Sequence, residues 1–127
     1  MVKILEYNKD RYRFTQEVQK IFNVSDLSLL HKHRHEMFPD YDLGFHNEVK
    51  TDYHKQFYLV LNDDTKNHEL RNSYDLFVRE MVSPFFNQSF CYQGFPSFRV
   101  HLPDKKAVNK WHYDSDDDHR HPEGEIN

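Results

Sequence analysis

The chain has 127 residues, of which 16% are aromatic and 30% charged, and its net charge at pH 7 is −4 with histidine neutral. This length predicts a single domain, residues 1–127, in which folding buries roughly two-thirds of the unfolded surface. The acidic balance and the lack of a Lys/Arg stripe argue against a nucleic acid partner, and charges directly after the short apolar start argue against a signal peptide or membrane span.

Cysteine use and charge placement indicate the compartment. Cys91 is the single cysteine, so no intrachain disulfide can form, and we expect a reducing, cytoplasmic environment in which Cys91 is a small buried apolar residue. Six acids and one arginine lie in residues 114–127. Taken alone, such a charge run is typical of a solvated tail.

Residues 1–90 are predicted to be mainly helical. A first helix over 12–22 has an apolar face, and Ser25 is the expected N-cap of a second helix that continues into the cluster HKHRH at 31–35. On a helix, His31 and His35 would share a face and could chelate a metal, although a partly solvated helix end is the favoured interpretation. The apolar face of the first helix comprises Phe14, Val18, Ile21 and Phe22, and that of the second comprises Leu27, Leu29 and Leu30.

Two further helices follow in the sequence. Asp52 precedes YHKQFYLVL, in which the apolar side chains again fall on one face, and the strongest helical pattern runs from Leu70 to Val82 and is ended by Pro84. These stripes indicate a helical core. Their members are Tyr53, Phe57, Val60 and Leu61 in the first helix, and Leu70, Tyr74, Phe77, Val78, Met81 and Val82 in the second.

The period of the pattern changes from residue 95 onward. FPSFRVHLP alternates apolar and polar residues, PDKK at 103–106 has turn chemistry, and AVNKWHYDS alternates again, which predicts a β-hairpin. On its second strand His112 and Asp114 would share a face, about 7 Å apart at the backbone. A histidine nitrogen and a carboxylate are two of the three ligands in the facial triad of Fe(II) oxygenases. The spacing alone is a weak signal, because ten histidines make chance pairs common.

Residues 95–127 resemble a segment of the Fe(II)/2-oxoglutarate-dependent oxygenases related to phytanoyl-CoA dioxygenase, including streptomycin-biosynthesis-like members. The shared run is FPSFRVHLP, a turn, His-x-Asp-x-Asp and HPEGEIN, and DYHKQFY at 52–58 is also similar. The resemblance implies an α+β fold in which N-terminal helices precede the first strands of a double-stranded β-helix (jelly roll). It implies Fe(II) as cofactor, 2-oxoglutarate as cosubstrate, and His112 and Asp114 as metal ligands.

The family's third ligand, a histidine, and the arginine that binds 2-oxoglutarate come further along its pattern than Asn127. We therefore expect this chain to be an incomplete N-terminal part that is inactive alone. His119 could substitute as a ligand only loosely, and His121, which matches the family's loop, is not expected to. Arg99 and His101 are weaker candidates for binding 2-oxoglutarate or lining its cavity, with a ligand-free rim as an equal alternative. Lys110, on the same face as His112, is expected to be solvated.

Two hypotheses of function remain from the sequence. In the first, the full-length protein is a dioxygenase that hydroxylates a small metabolite. In the second, the chain is a truncated or degenerate domain that acts without catalysis, as a binding or assembly module. Missing strands would leave an open sheet edge, through which we expect self-association.

Overall fold

A computed structural model describes residues 4–37 and 51–100, which form helices and connecting turns. Three helices have nine or ten residues: α1 (Phe14–Phe22), α3 (Asp52–Leu61) and α4 (His68–Phe77). A 3-10 helix (Leu27–Lys32) and the four-residue α2 (Arg34–Met37) lie between α1 and α3, and a π-helix (Val78–Val82) and a 3-10 turn (Ser83–Phe85) follow α4. The expectation of a mainly helical N-terminal part is confirmed for the described residues.

Helix α1 begins two residues after its predicted start and ends at the predicted residue. Phe22 is buried, and Phe14, Val18 and Ile21 pack against the same cluster of buried side chains. Asn23 ends the helix in the left-handed conformation, with φ of 52°, and the N–H of the next residue donates to the Gln19 carbonyl. Asparagine tolerates this conformation better than most residues, which explains the sharp stop.

The second helical element differs from its prediction in type and in its cap. Residues 27–32 form a 3-10 helix, and the cap is Asp26, whose carboxylate accepts a hydrogen bond from the Ser28 N–H at 2.9 Å. Ser25 therefore does not have the predicted role. The pKa of Asp26 lies below its usual value because the hydroxyl and the N–H of Ser28 both donate to the carboxylate.

Helix α3 provides the centre of the core. Tyr53, Phe57 and Leu61, spaced four residues apart, are 0%, 2% and 1% exposed. Removing a large apolar side chain from water stabilises a fold by roughly 1.5–3 kcal/mol. The Tyr53 hydroxyl also donates to the Leu30 carbonyl at 2.9 Å, which ties the 3-10 helix to α3. The core cluster consists of Phe22, Leu30, Tyr53, Phe57, Leu61 and Leu70.

Helix α4 is joined to α3 by a tight connection. Asn67 is 2% exposed, and its side-chain amide donates to the Leu61 carbonyl at 2.7 Å. Asp63 accepts hydrogen bonds from the N–H and the hydroxyl of Thr65 and lies 3.0 Å from the ammonium of Lys66. These donors lower the pKa of Asp63 to about 2, the Thr65 hydroxyl having the largest effect. The connection thus satisfies its buried polar groups locally.

The apolar stripe predicted over 70–82 is helical throughout, but it changes geometry partway. The α-helix ends at Phe77, residues 78–82 form a π-helix, and Pro84 lies inside the following 3-10 turn. Pro84 therefore does not end the helical run directly. Within this stripe Leu70 and Val78 are buried.

The predicted α+β class is wrong, because the described residues are helical and contain no β-strand. Residues 95–100 fall in the predicted first jelly-roll strand, yet they pair with no other segment in the described ranges. The alternation itself is present: Phe98 and Val100 pack against the core cluster, whereas Ser97 and Arg99 are exposed. Packing against helices produces the same two-residue period as a sheet. The remainder of the predicted hairpin, 101–127, lies outside the described residues, and so does any sheet edge for self-association.

The structure bears on two further expectations, the lack of a membrane span and the burial of Cys91. Across 4–37 and 51–100, no helix has both the length and the apolar character that crossing a membrane requires. Cys91 is exposed, so the prediction that it is a small buried residue is wrong. It lies in the irregular stretch after the 3-10 turn and is not a member of the core cluster.

Candidate functional site

Of the four predicted site residues, Arg99 lies in the described part of the chain. His101, His112 and Asp114 lie outside the described residues, as do His119, His121 and Lys110. The ligand assignments therefore stay predictions. The segment that leads to them is attached to the helices within the described residues.

Phe98 attaches this segment to the core cluster. Its ring stacks on that of Phe57, with centroids 4.5 Å apart and planes 14° from parallel, and the Phe22 ring lies 5.5 Å away. The Phe98 N–H donates to the Tyr58 hydroxyl at 3.2 Å. One ring and one backbone hydrogen bond thus fix the chain just before the predicted metal-binding region.

Arg99 is directed away from the helices because its two neighbours face them. Its side chain is exposed, and it forms no ion pair with any residue in the described ranges. An unpaired guanidinium can bind a carboxylate through two parallel N–H donors. The position is compatible with the predicted role in binding 2-oxoglutarate, which stays a prediction.

The predicted metal ligands are a histidine and a carboxylate. Among the described residues, no group of three or more His, Cys, Asp or Glu side chains is arranged to hold a metal ion. His31 ends up in the 3-10 helix and His35 in α2, so the continuous helix that would align them is not formed. His112 and Asp114 remain the residue types that suit Fe(II).

Sequence reasoning missed a buried polar pair at the start of α3. His54 is 5% exposed and Thr51 2% exposed, and the Nδ1 of His54 lies 2.8 Å from the Thr51 hydroxyl oxygen. The imidazole also meets the edge of the Phe98 ring, with centroids 5.4 Å apart. In the sequence, His54 directly follows Tyr53, the first residue of the apolar stripe of α3. This position is the feature from which the burial of His54 could have been predicted.

A second missed cluster joins the N-terminal segment to the π-helix. The guanidinium of Arg11 donates twice to the Glu80 carboxylate, through Nε at 2.6 Å and through Nη2, and the Tyr12 hydroxyl donates to the same carboxylate at 2.7 Å. These donors lower the pKa of Glu80 to about 2, with Arg11 the largest cause, and the carboxylate raises the pKa of Tyr12. No sequence pattern links residues that are 69 positions apart.

Two grooves lie on the surface formed by the described residues. A groove of about 640 Å³ lies beside the π-helix and the chain that follows it, between Val78 and Tyr92. A smaller one of about 450 Å³ lies between α1 and α2 and includes His33 and Glu36, whose side chains are 3.3 Å apart. Neither groove contains a predicted site residue.

No protein-family model, no curated protein and no solved structure matches this chain. The resemblance to the oxygenases therefore rests on the motifs of residues 52–58 and 95–127 alone.

Proposed function

We propose that the full-length protein is an Fe(II)/2-oxoglutarate-dependent dioxygenase that hydroxylates a small metabolite. The observation that carries the proposal is the sequence run from Phe95 to Asn127, in which His112 and Asp114 have the spacing of two facial-triad ligands. The protein would work in a reducing, cytoplasmic compartment, as the single cysteine suggests.

The attachment of Phe98 supports this proposal in one respect. A metal site needs ligands held in a fixed geometry by a surrounding shell. The stacked Phe57 and Phe98 rings fix the chain 14 residues before His112. The helices would thus anchor one end of the ligand-bearing segment.

The chemistry of the reaction comes from the bound group, since Fe(II) with 2-oxoglutarate allows O₂ to oxidise an unactivated C–H bond. The role of this chain is to bind and orient. His112 and Asp114 would each supply one ligand atom to iron, and Arg99 would pair with a carboxylate of 2-oxoglutarate. A third protein ligand is needed to complete a triad.

A second candidate is a binding module without catalysis. The groove beside the π-helix favours it, because that groove is formed wholly by helical and irregular segments that precede the predicted metal-binding region. In this case residues 112 and 114 would have no metal-related role.

Anaerobic titration with Fe(II) and 2-oxoglutarate tests the first proposal. The polypeptide read from the same gene past residue 127 should develop the weak visible charge-transfer band of an iron–2-oxoglutarate complex, and the 127-residue chain should not. If the reading frame stops at Asn127, no residue supplies the family's third ligand, and the proposal of catalysis fails.

His112→Ala should abolish the band in the longer polypeptide, because one of the ligands is lost. His68→Ala is the matched control: His68 is an exposed α4 histidine far along the chain from the motif, and its removal should leave the band unchanged. A band that survives His112→Ala would overturn the ligand assignment.

A further inference from the structure

The groove beside the π-helix is an open surface groove lined by aromatic, amide and hydroxyl side chains and one arginine. Its volume of about 640 Å³ falls within the range of ligand pockets, roughly 300–1,000 Å³. Phe86 and Phe90 form a stacked pair in its wall, with ring centroids 4.4 Å apart, and Tyr92 lies 6.2 Å from Phe90. The other lining residues are Val78, Arg79, Ser83, Asn87, Gln88 and Ser89.

Arg79 is the one charged side chain in this lining, and no acid accompanies it. On a regular α-helix Asp75 would neighbour Arg79, since residues four apart share a face. The π-helix that begins at Val78 changes this register, and the two side chains form no ion pair. Asp75 instead accepts a hydrogen bond from the Tyr92 hydroxyl at 3.1 Å.

Glu80, the acidic residue next to Arg79 in the π-helix, also has other partners. Glu80 is held by Arg11 and Tyr12 on another side of the helix. Arg79 is therefore left without an ion pair in the described part of the chain, in a groove that also contains the half-buried Phe86 and Phe90. π-Helical turns frequently occur at functional sites, and here the change of register separates Arg79 from Asp75.

We propose that this groove binds a small carboxylic acid with a planar aromatic body. The ring packs against the Phe86–Phe90 pair, the carboxylate pairs with the guanidinium of Arg79, and the side-chain amides of Asn87 and Gln88 supply further donors at the rim. This proposal involves none of the residues proposed to hold iron and does not rest on the proposed function.

Isothermal titration calorimetry on the 127-residue chain with naphthalene-2-carboxylate tests the proposal. The neutral alcohol of the same ring system, 2-naphthalenemethanol, should bind at least about tenfold more weakly, because it lacks the charge-assisted pair. Arg79→Gln should weaken the carboxylate at least about tenfold and leave the alcohol unchanged. The variant should fold, since Arg79 is exposed and has no side-chain partner in the described ranges.

Arg13→Gln is the matched control, because it removes the same charge from an exposed arginine outside the groove. Its affinity for the carboxylate should stay within about twofold of the wild type. Three results would each overturn the proposal: no binding of the carboxylate at millimolar concentration, equal binding of acid and alcohol, or equal losses in the two arginine variants. His112→Ala should not change the affinity, which keeps this test distinct from the iron titration.

Discussion

The helical body, residues 12–37 and 51–82, and the C-terminal arm, residues 83–100, are both rich in aromatic rings but use them differently. In the helical body, Tyr53 and Phe57 are 0% and 2% exposed, whereas Tyr92 and Phe95 in the arm are 43% and 40% exposed. Tyr53 and Phe57 are four residues apart on α3 and so share one face, whereas the rings of the arm lie in the 3-10 turn and the irregular chain after it. Placement on one face of a helix, rather than the number of rings, distinguishes the buried rings from the exposed ones.

The arm contacts the core cluster through Phe98 and Val100. Between these residues and the 3-10 turn, rings stack on each other or on polar groups, as Arg71 does over Phe95 at 4.6 Å. The arm therefore depends on the helical body for its position. The variants below test whether the stability of the helical body also depends on the arm.

Phe57→Ala should have the largest effect, because Phe57 is central to the helical body and also holds the arm. We expect a loss of about 3–5 kcal/mol in the free energy of unfolding, the usual cost of removing a buried Phe. Urea unfolding followed by far-UV circular dichroism measures it. Such a loss is a large fraction of the stability of a small domain.

Leu59→Ala is the control on the same helix, because Leu59 is 70% exposed. We expect it to change the free energy of unfolding by less than about 0.5 kcal/mol. Comparable losses in the two variants would mean that α3 does not have the buried face described above.

Phe98→Ala should have a smaller effect that is confined to the arm. Phe98 is half-buried, so we expect a loss of about 2 kcal/mol, below that for a fully buried ring. Amide hydrogen exchange should accelerate over 95–100 while α1, α3 and α4 keep their protection. Uniform acceleration in all three helices would show that the two regions unfold as one unit.

Glu80→Gln should have the smallest effect, and one that depends on pH. The pKa of Glu80 in the fold is about 2, against an ordinary value of 4.5. Its contribution is thus fully present above pH 4.5 and is lost as the pH falls toward 2. The variant should be less stable than the wild type at neutral pH, and the difference should shrink steadily across this window.

The measurement is urea unfolding at a series of pH values, with Glu6→Gln as the control. Glu6 is exposed in the N-terminal segment and has no partner among the described residues, so its replacement should leave the pH profile unchanged. A Glu80→Gln difference that is constant with pH would exclude the proposed ion pair. Asp63, whose pKa is also about 2, titrates in all three proteins and cancels.

The parts of the fold that follow from local periodicity could be predicted. The sequence predicts the end of α1 at residue 22, and the spacing of Tyr53, Phe57 and Leu61 identifies the buried face of α3. The π-helix could not be predicted, because an apolar stripe does not reveal whether a carbonyl is bonded four or five residues ahead. The strand prediction at 95–100 was wrong because alternating burial against helices resembles alternating burial in a sheet.

The candidate sites also differ in whether they could be predicted from the sequence. His112 and Asp114 were proposed from a spacing and a resemblance, which need no tertiary contact. The groove beside the π-helix, by contrast, brings Arg79 to rings 7 and 11 residues further along the chain through an irregular turn. The pairing of Arg11 with Glu80 spans 69 residues. Contacts of this kind depend on the path of the whole chain and leave no local pattern.

The π-helix also sets the direction in which the chain leaves the helical body. Each residue turns an α-helix by about 100°, so accommodating one additional residue in a turn rotates everything that follows by about that angle. Deleting one residue from 78–82 would return the turn to α geometry and point the arm toward a different side of the molecule. We expect such a deletion to weaken the contact between Phe98 and Phe57, because the irregular chain after the π-helix would have to reach the core cluster from a different side.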